Sequence, residues 1–369
     1  MVLDPTFPDN WPDPLTDYEA QTQAFCRAWL SHQSSFTLHT SGSTGTPKPI
    51  VLTRAQMRAS AQLTGRVLGL QPGDKALVCL NTRYVAGVMM LVRGLELGMP
   101  MTIQEPSGNP LALFDSPGTH FDFTALVPLQ LQTILEATPE KLSILNTMKA
   151  VLVGGAATSP LLERELQLIK APVLATYGMT ETVSHIALRR LNGQERSRWF
   201  TALDGVELGV DERGCLHITS AATNFEQVQT NDVVEFRSQA SPTQFQLLGR
   251  ADTIINSGGV KIQPEQVERV AQEALAIYSQ AGTASPGEDQ ASWVPRLFVA
   301  AMPDERLGQR VVLVLEQRAL SPEQFQTVQE SIRLQLGPYA VPKDMVVVPE
   351  LAETSTGKID RNATIARIR

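Results

Sequence analysis

Apolar and polar positions follow two successive rhythms along the chain, and each rhythm predicts a different architecture. Behind Thr16, whose side chain can accept a free backbone N–H, Tyr18, Phe25, Ala28 and Trp29 supply one apolar face and predict a helix to about Ser31. Thr53 is placed to open a second helix, ending near Gly69. From Ala76 onward, short apolar runs alternate with helical stretches. Strands are expected at Ala76–Leu80, Met99–Ile103, Thr124–Val127, Ala150–Val153 and Pro172–Thr176, with helices at Val85–Leu97, Leu129–Glu136 and after Ser159-Pro160. This alternation predicts a doubly wound α/β sheet, in which ligands gather at the carboxyl ends of the strands.

From about Ile186 the rhythm changes. Asn192-Gly193 and Asp211–Gly214 are turn signals between short alternating runs, which predicts an antiparallel, β-rich subdomain. Past Asp252 the pattern is that of a small α+β unit. It has a helix from Pro264 to about Ala276, strands near Leu297–Ala301 and Val311–Leu315, and a helix from Ser321 to about Leu334. The polar stretch Gln280–Ser292 reads as an exposed loop. The expected division is a large N-terminal domain over 1–251 and a small, mobile C-terminal domain over 252–369.

Composition adds mainly exclusions. At 369 residues the chain exceeds one ordinary core, and a net charge of −7 leaves no basic footprint for nucleic acid. Cys26, Cys79 and Cys215 are odd in number, far apart and set in apolar segments, which argues against disulfides. They have no metal-ligand spacing, and the five histidines form no cluster with them. The opening MVLDPTFPDNWPDPL lacks a basic-then-apolar leader pattern, and no run is apolar enough to span a membrane, so a cytoplasmic protein is the default expectation.

The richest chemical signal is LHTSGSTGTPKPI at Leu38–Ile50. Small and hydroxylic residues let backbone N–H groups and side-chain hydroxyls approach a polyanion, and Lys48 adds a positive charge. Apolar residues on both sides predict that the loop joins two strands. It is not a Walker loop, because no Gly-Lys-Ser/Thr ending opens a helix. Further on come Tyr177-Gly178-Met179-Thr180-Glu181, Asp232, a run from Gly249-Arg250-Ala251-Asp252 through Glu268, and Thr356-Gly357-Lys358-Ile359-Asp360-Arg361. In kind, order and spacing these resemble the motifs of the adenylate-forming superfamily, which includes acyl-CoA synthetases and nonribosomal adenylation domains. The resemblance extends from about residue 36 to about residue 362.

That resemblance implies an enzyme that uses ATP, Mg2+ and CoA to activate a small carboxylic acid. Thr40, Ser41, Gly42, Ser43, Thr44, Gly45 and Lys48 would cradle the phosphates. Gly155, Ala156, Tyr177, Gly178 and Met179 would line the nucleotide, Tyr177 packing against adenine. Thr180 would touch phosphate, and Glu181 would ligate the metal. Asp232, within Thr230-Asn231-Asp232 where the family usually has Thr-Gly-Asp, would hold the ribose together with Arg250. Asp252 would be the hinge, and Ser257-Gly258-Gly259 would line the CoA tunnel; two adjacent glycines fit a tight turn equally well. Lys358 would enter the site for adenylation and leave as the small domain rotates.

Tyr84 to Arg93, Ala125 to Leu131, Val153 to Ala156 and Thr176 to Ile186 narrow the resemblance to o-succinylbenzoate–CoA ligases of menaquinone synthesis. This implies Arg93 as donor to a spectator carboxylate, with Tyr84, Gly87, Gly154 and Gly155 shaping a slot bordered by Ser184 and His185. The opposing reading places Arg93 on an otherwise apolar helix, pointing outward. Two rival functions stay open: a ligase for another aryl or acyl acid or a carrier-protein thiol, and a binding-only sensor of nucleotide or acyl adenylate. About 37 residues precede the phosphate loop, fewer than in most relatives. An apolar face left by that short segment would favour a homodimer.

Overall fold

Helices begin where a side chain satisfies the free backbone N–H groups of the first turn. Thr16 Oγ1 accepts from the Glu19 N–H at 3.2 Å to start α1 (Asp17–Leu30). Before α2 (Arg54–Leu68), Thr53 Oγ1 accepts from the Gln56 N–H while Gln56 Oε1 accepts from the Thr53 N–H, a reciprocal pair. Gly69, at φ 64°, ends α2 in the left-handed conformation that glycine adopts freely. The computed structural model describes residues 1–39, 48–115, 118–280, 295–354 and 359–368. The expected loop at Gln280–Ser292 lies, past its first residue, outside the described residues.

The N-terminal part contains β1 (Val2–Leu3), the hairpin β2 (Ser35–His39) and β3 (Pro49–Thr53), β4 (Ala76–Val78), α3 (Val85–Leu97), β5 (Met101–Ile103) and β6 (Phe123–Leu126). It continues through α4 (Pro128–Ala137), α5 (Leu142–Leu145), β7 (Ala150–Val153), α6 (Pro160–Glu165) and β8 (Val173–Gly178). Strands β5-β4-β6-β7-β8 lie side by side and parallel in that order. The winding direction reverses between β4 and β6, so their carboxyl ends open a crevice. Alternation along the strands feeds two cores. Leu77, Val151 and Val153 face Leu131, Ile134, Ile144 and Leu162 of α4–α6. Ala76, Val78 and Leu152 face Cys26, Met90 and Leu91 of α1 and α3. The chain is thus a mixed α/β protein with a doubly wound sheet.

The β-rich part is not a separate layer but a continuation of this sheet. Strands β9 (His185–Arg190), β10 (Phe200–Ala202), β11 (Glu207–Val210), β12 (Cys215–Thr219), β13 (Val228–Phe236) and β14 (Gln244–Arg250) extend it antiparallel, in the order β8-β9-β10-β14-β13-β12-β11. A smaller α+β unit follows, with β15 (Ile255–Ser257), β16 (Val260–Ile262), α7 (Pro264–Gln280), β17 (Leu297–Asp304), β18 (Gly308–Glu316), α8 (Pro322–Leu336), β19 (Asp344–Val348) and α9 (Arg361–Ile368). Its own core joins Val267, Val270 and Leu275 to Leu313, Leu315, Val328 and Ile332. Strand β19 and helix α9 were not anticipated from the pattern. Strand β19 pairs parallel with β18 in a partner choice that only the tertiary fold decides.

The β2–β3 hairpin is seated on helices by one polar hub. Glu96 of α3 accepts from Trp29 Nε1 at 2.9 Å and pairs with Arg58 Nε at 2.8 Å and Arg54 Nη2 at 3.5 Å. The Arg54 guanidinium also lies 4.2 Å from the Trp29 ring centroid, and the Arg54 N–H donates to Ser34 O at the foot of the hairpin. Glu96→Ala removes the common acceptor of three helices, and a loss of about 2 kcal/mol of stability is expected. This would be read as a lower denaturant midpoint at unchanged slope. An unchanged midpoint would show that these donors find other acceptors at no cost.

Candidate active site

Topology gathers the candidate residues along the carboxyl edge of the parallel strands. Tyr84 caps α3 just beyond β4, Gly154 to Ala156 follow β7, and Tyr177-Gly178 ends β8. Gly155 carries φ 87°, and a Cβ there would lie 3.4 Å from Val127, so the loop after β7 abuts the loop after β6. Gly87 and Gly154 have packing reasons to be glycine. A Cβ on the first would fall 2.3 Å from Asn81 O, and one on the second 2.4 Å from Thr176 Oγ1. The hairpin predicted to carry the phosphate loop is present, with His39 paired to Pro49 and Phe36 to Leu52. Its loop residues Thr40, Ser41, Gly42, Ser43, Thr44 and Gly45 lie outside the described residues. Lys48 is exposed at the start of the returning strand.

Tyr177, Asp232, Arg250 and Asp252 form one chain of contacts. The Tyr177 hydroxyl donates to Asp232 Oδ2 at 2.7 Å, and Arg250 Nη1 donates to Asp232 Oδ1 at 3.1 Å. Arg250 then closes a two-pronged pair with Asp252, at 2.9 Å through Nε and 2.7 Å through Nη2. Asp232 and Arg250 face one another across β13 and β14, so sheet register brings together residues eighteen apart. Burial first, then the Asp232 carboxylate, push the Tyr177 phenol up, so it stays a donor. The Arg250 guanidinium holds the Asp252 carboxyl below its usual range. The Tyr177 ring packs on Phe200 and Phe245, with centroids at 5.9 and 5.1 Å, and is 8% exposed. A carboxylate has about four acceptor positions. Asp232, with two in use, keeps capacity for two further donors.

Between β8 and β9 the chain reverses through Met179, the 3-10 turn Thr180–Thr182 and Val183. Gly178 pairs with His185, and a Cβ on residue 178 would fall 2.1 Å from Ser184 O. Thr182 Oγ1 braces the turn by contacts to the Met179 N–H, Met179 O and Ser184 O. Val183, β-branched, sits at φ 65° and ψ −52°, and the Ser184 N–H donates to Thr182 O at 2.7 Å. This is a γ-turn of the φ-positive kind, a conformation that costs on the order of 1–3 kcal/mol. Full burial of the Val183 side chain against Phe36, Leu38, Val88 and Val92 offsets that cost. Thr180 is buried and Glu181 exposed.

The turn presents Ser184 and His185 to Arg93. The arginine does not point outward: it is 2% exposed, on the inner side of α3. Its Nη2 donates to Ser184 Oγ at 2.7 Å and stands 3.4 Å from His185 Nδ1. Its Nε donates to Thr64 Oγ1 at 3.2 Å, and Nη1 meets Met90 Sδ at 3.9 Å. No carboxylate contacts it among the described residues. Burial pushes the guanidinium down to about 9, which leaves it charged at neutral pH. Burial, and then the Arg93 charge, push His185 well below the usual imidazole range, so that ring is neutral.

On the C-terminal side, Gly258 and Gly259, at φ 60° and 83°, form the two-residue turn of the β15–β16 hairpin, with Ser257 buried before it. Thr253, next to Asp252, donates to Glu265 Oε1 at 3.1 Å. Arg361 Nη2 lies 3.6 Å from that same oxygen and 2.9 Å from Glu268 Oε2. The Glu353–Ile359 bridge closes a loop whose residues 355–358, Lys358 included, lie outside the described residues. Thr64, Phe200 and Phe245 lie in none of the motifs, and the joining of Glu265 and Glu268 to Arg361, which do lie in motifs, is set by partners distant in the chain. Glu181 offers one exposed carboxylate, and no cluster of three metal-ligating side chains occurs among the described residues. One carboxylate suits Mg2+, which usually keeps waters and takes its other ligands from substrate phosphates.

A family model for AMP-binding enzymes matches residues 7–212, and one for the AMP-binding enzyme C-terminal domain matches residues 292–358. A 2-succinylbenzoate–CoA ligase of Salmonella typhimurium is 28% identical over 94% of this chain and 71% of its own length. A probable 2-succinylbenzoate–CoA ligase of Mycobacterium tuberculosis is 29% identical over 89% of this chain and 83% of its own. The solved structure of an acyl-CoA synthetase (AMP-forming)/AMP-acid ligase II-like protein from Dyadobacter fermentans is 43% identical, covers 100% of this chain and 99% of its own, and superposes with a TM-score of 0.65. The o-succinylbenzoate CoA synthetase of Bacillus subtilis, solved with ATP and magnesium, shares the fold at 20% identity and a TM-score of 0.69, over 89% of this chain and 69% of its own. Matched in order by both family models, the first over more than half its length, the chain belongs to the AMP-binding enzyme family and is an ATP-dependent, AMP-forming ligase.

Proposed function

We propose that this enzyme joins o-succinylbenzoate, an aromatic keto diacid, to CoA. The observation that carries the choice of acid is Arg93, a buried guanidinium with no carboxylate partner among the described residues, where its neighbours are the neutral side chains of Thr64, Met90, Ser184 and His185. A buried charge without a counterion is costly, so a ligand that brings an anion into contact gains what the fold forgoes. A diacid has such an anion to spare once its other carboxylate reacts. Relatives named for this acid support the reading.

In the first half-reaction an oxygen of the succinyl carboxylate bonds to the α-phosphorus of ATP. The bond from that phosphorus to pyrophosphate breaks, leaving acyl-AMP. In the second, the CoA sulfur bonds to the acyl carbon, the bond to the AMP oxygen breaks, and the thiol proton passes to solvent. Bringing two anions together makes charge neutralisation and alignment the main tasks of the protein. The loop between β2 and β3, Lys48 and Lys358 would neutralise phosphate charge. Glu181, beside Thr180, would hold the metal, whose charge acts on the phosphate oxygens. Asp232 would accept the ribose hydroxyls while Tyr177 and Arg250 fix its orientation. Asp252 and Thr253 would serve as the hinge between the half-reactions, with CoA approaching along Ser257-Gly258-Gly259.

With ATP, magnesium, CoA and o-succinylbenzoate, mass spectrometry should detect the acyl-CoA, and Lys358→Ala should lower adenylation at least about 100-fold with ATP affinity nearly kept. Normal turnover by that variant would remove the lysine from the chemistry. Arg93→Gln should lower the ratio of kcat/KM for the diacid to that for 3-benzoylpropionate, which lacks the ring carboxylate, by about 10- to 100-fold. An unchanged ratio would discard the acid assignment. His185 supplies a pH test. Its folded pKa is depressed, so its contribution to stability is complete above about 6.5 and is lost as pH falls below that value toward the folded pKa. The wild type should lose up to about 1.4 kcal/mol per pH unit more than His185→Gln over that window. Parallel acid slopes in denaturant titrations would mean that the ring protonates without cost.

A further inference from the structure

Thr64 belongs to none of the motifs, yet it is fully buried on α2 at the centre of the Arg93 contacts. Its hydroxyl donates to Ser60 O at 3.0 Å, accepts from Arg93 Nε at 3.2 Å and stands 3.1 Å from His185 Nε2. A hydroxyl has one proton and two lone pairs. With the proton on the Ser60 carbonyl, both lone pairs must face donors, which assigns a proton to His185 Nε2. The neutral ring then carries its lone pair on Nδ1, 3.4 Å from both Arg93 Nη2 and Ser184 Oγ. Neutral acceptors therefore hold the Nε and Nη2 side of the guanidinium. Nη1 faces only the weak acceptor Met90 Sδ, at 3.9 Å, among the described residues.

We infer that Thr64 is a positioning residue for acid selection: by occupying the Arg93 Nε–H and setting the His185 tautomer, it keeps the Nη1 edge available to the spectator carboxylate. The inference rests on the reading of Arg93 as the carboxylate donor. It explains why a threonine is useful here. Valine has the same shape but no acceptor, while serine keeps the hydroxyl.

The test compares Thr64→Val and Thr64→Ser in the full chain, with o-succinylbenzoate and 3-benzoylpropionate as alternative acids. Thr64→Val should lower the diacid-to-monoacid ratio of kcat/KM by about 10-fold or more, through the KM of the diacid rather than that of ATP. Thr64→Ser should restore the ratio to within about 3-fold of wild type. Nitrogen-15 NMR of the imidazoles, assigned with His185→Gln, should show His185 protonated on Nε2 in the wild type and redistributed in Thr64→Val. Thr64→Ala carries the same comparison if the valine variant does not fold. If Arg93→Gln loses the diacid preference but Thr64→Val keeps it, the role of Thr64 is overturned and that of Arg93 stands. Equal losses for both acids, or a wild-type His185 protonated on Nδ1, would also overturn it. A diacid preference that survives Arg93→Gln would instead sink the reading on which the inference rests.

Discussion

The reversal from β8 into β9 requires a residue without a side chain at 178. A Cβ there would overlap the Ser184 carbonyl at 2.1 Å, a backbone contact that no side-chain motion can relieve. This close approach divides the site into two halves. On one side, Tyr177 leaves β8 to meet Asp232 and, through it, Arg250 and Asp252. On the other, the chain turns through Val183 and delivers Ser184 and His185 to Arg93. The Tyr177–Asp232–Arg250 contacts and the Ser184–His185–Arg93 contacts are thus fixed by the same few backbone atoms. The strain at Val183 is retained because its side chain is buried with Phe36, Leu38 and Leu52 of the β2–β3 hairpin.

The two arginines of the site solve opposite electrostatic problems. Arg250 is 43% exposed and bonded to two carboxylates, so its charge is balanced within the protein and screened by water. Arg93 is withdrawn from water and, among the described residues, meets a hydroxyl pair, a neutral imidazole and a thioether. Neutral acceptors orient a guanidinium without cancelling its charge. A carboxylate in their place would cancel that charge within the protein. The stability that an unbalanced buried charge costs is offset elsewhere, by the polar hub at Glu96 and the packed faces of the sheet.

Polar contacts tie the region after Asp252 to the small C-terminal unit. Thr253 reaches Glu265 at the start of α7, and Glu265 shares Arg361 with Glu268. Arg361 opens α9, directly after the segment that holds Lys358. A displacement around Asp252 would therefore be felt at the base of that segment through three side chains. Such polar, partly exposed contacts can be exchanged at low cost, which would suit the hinge role proposed for Asp252.

Local chemistry was legible in the chain before any fold was known. Thr16, Thr53 and Ser159 mark helix starts because capping depends on neighbours three residues away, and Asp211–Gly214 marks a turn because Asp211 accepts from the Arg213 and Cys215 N–H groups close by. The alternation from Ala76 to Thr176 specified a doubly wound sheet, since burial on both faces demands short apolar strands. The motif residues were visible because their types and order resemble those of the AMP-binding enzyme family. What the sequence could not determine was anything set by long-range register. The merging of the β-rich region into one twelve-stranded sheet, the pairing of β19 with β18 and the inward direction of Arg93 depend on partners far along the chain. Thr64 is the plainest case. Its hydroxyl acts on Arg93, 29 residues on, and on His185, 121 residues on, and only packing of α2 against α3 and β9 brings those groups within hydrogen-bond reach.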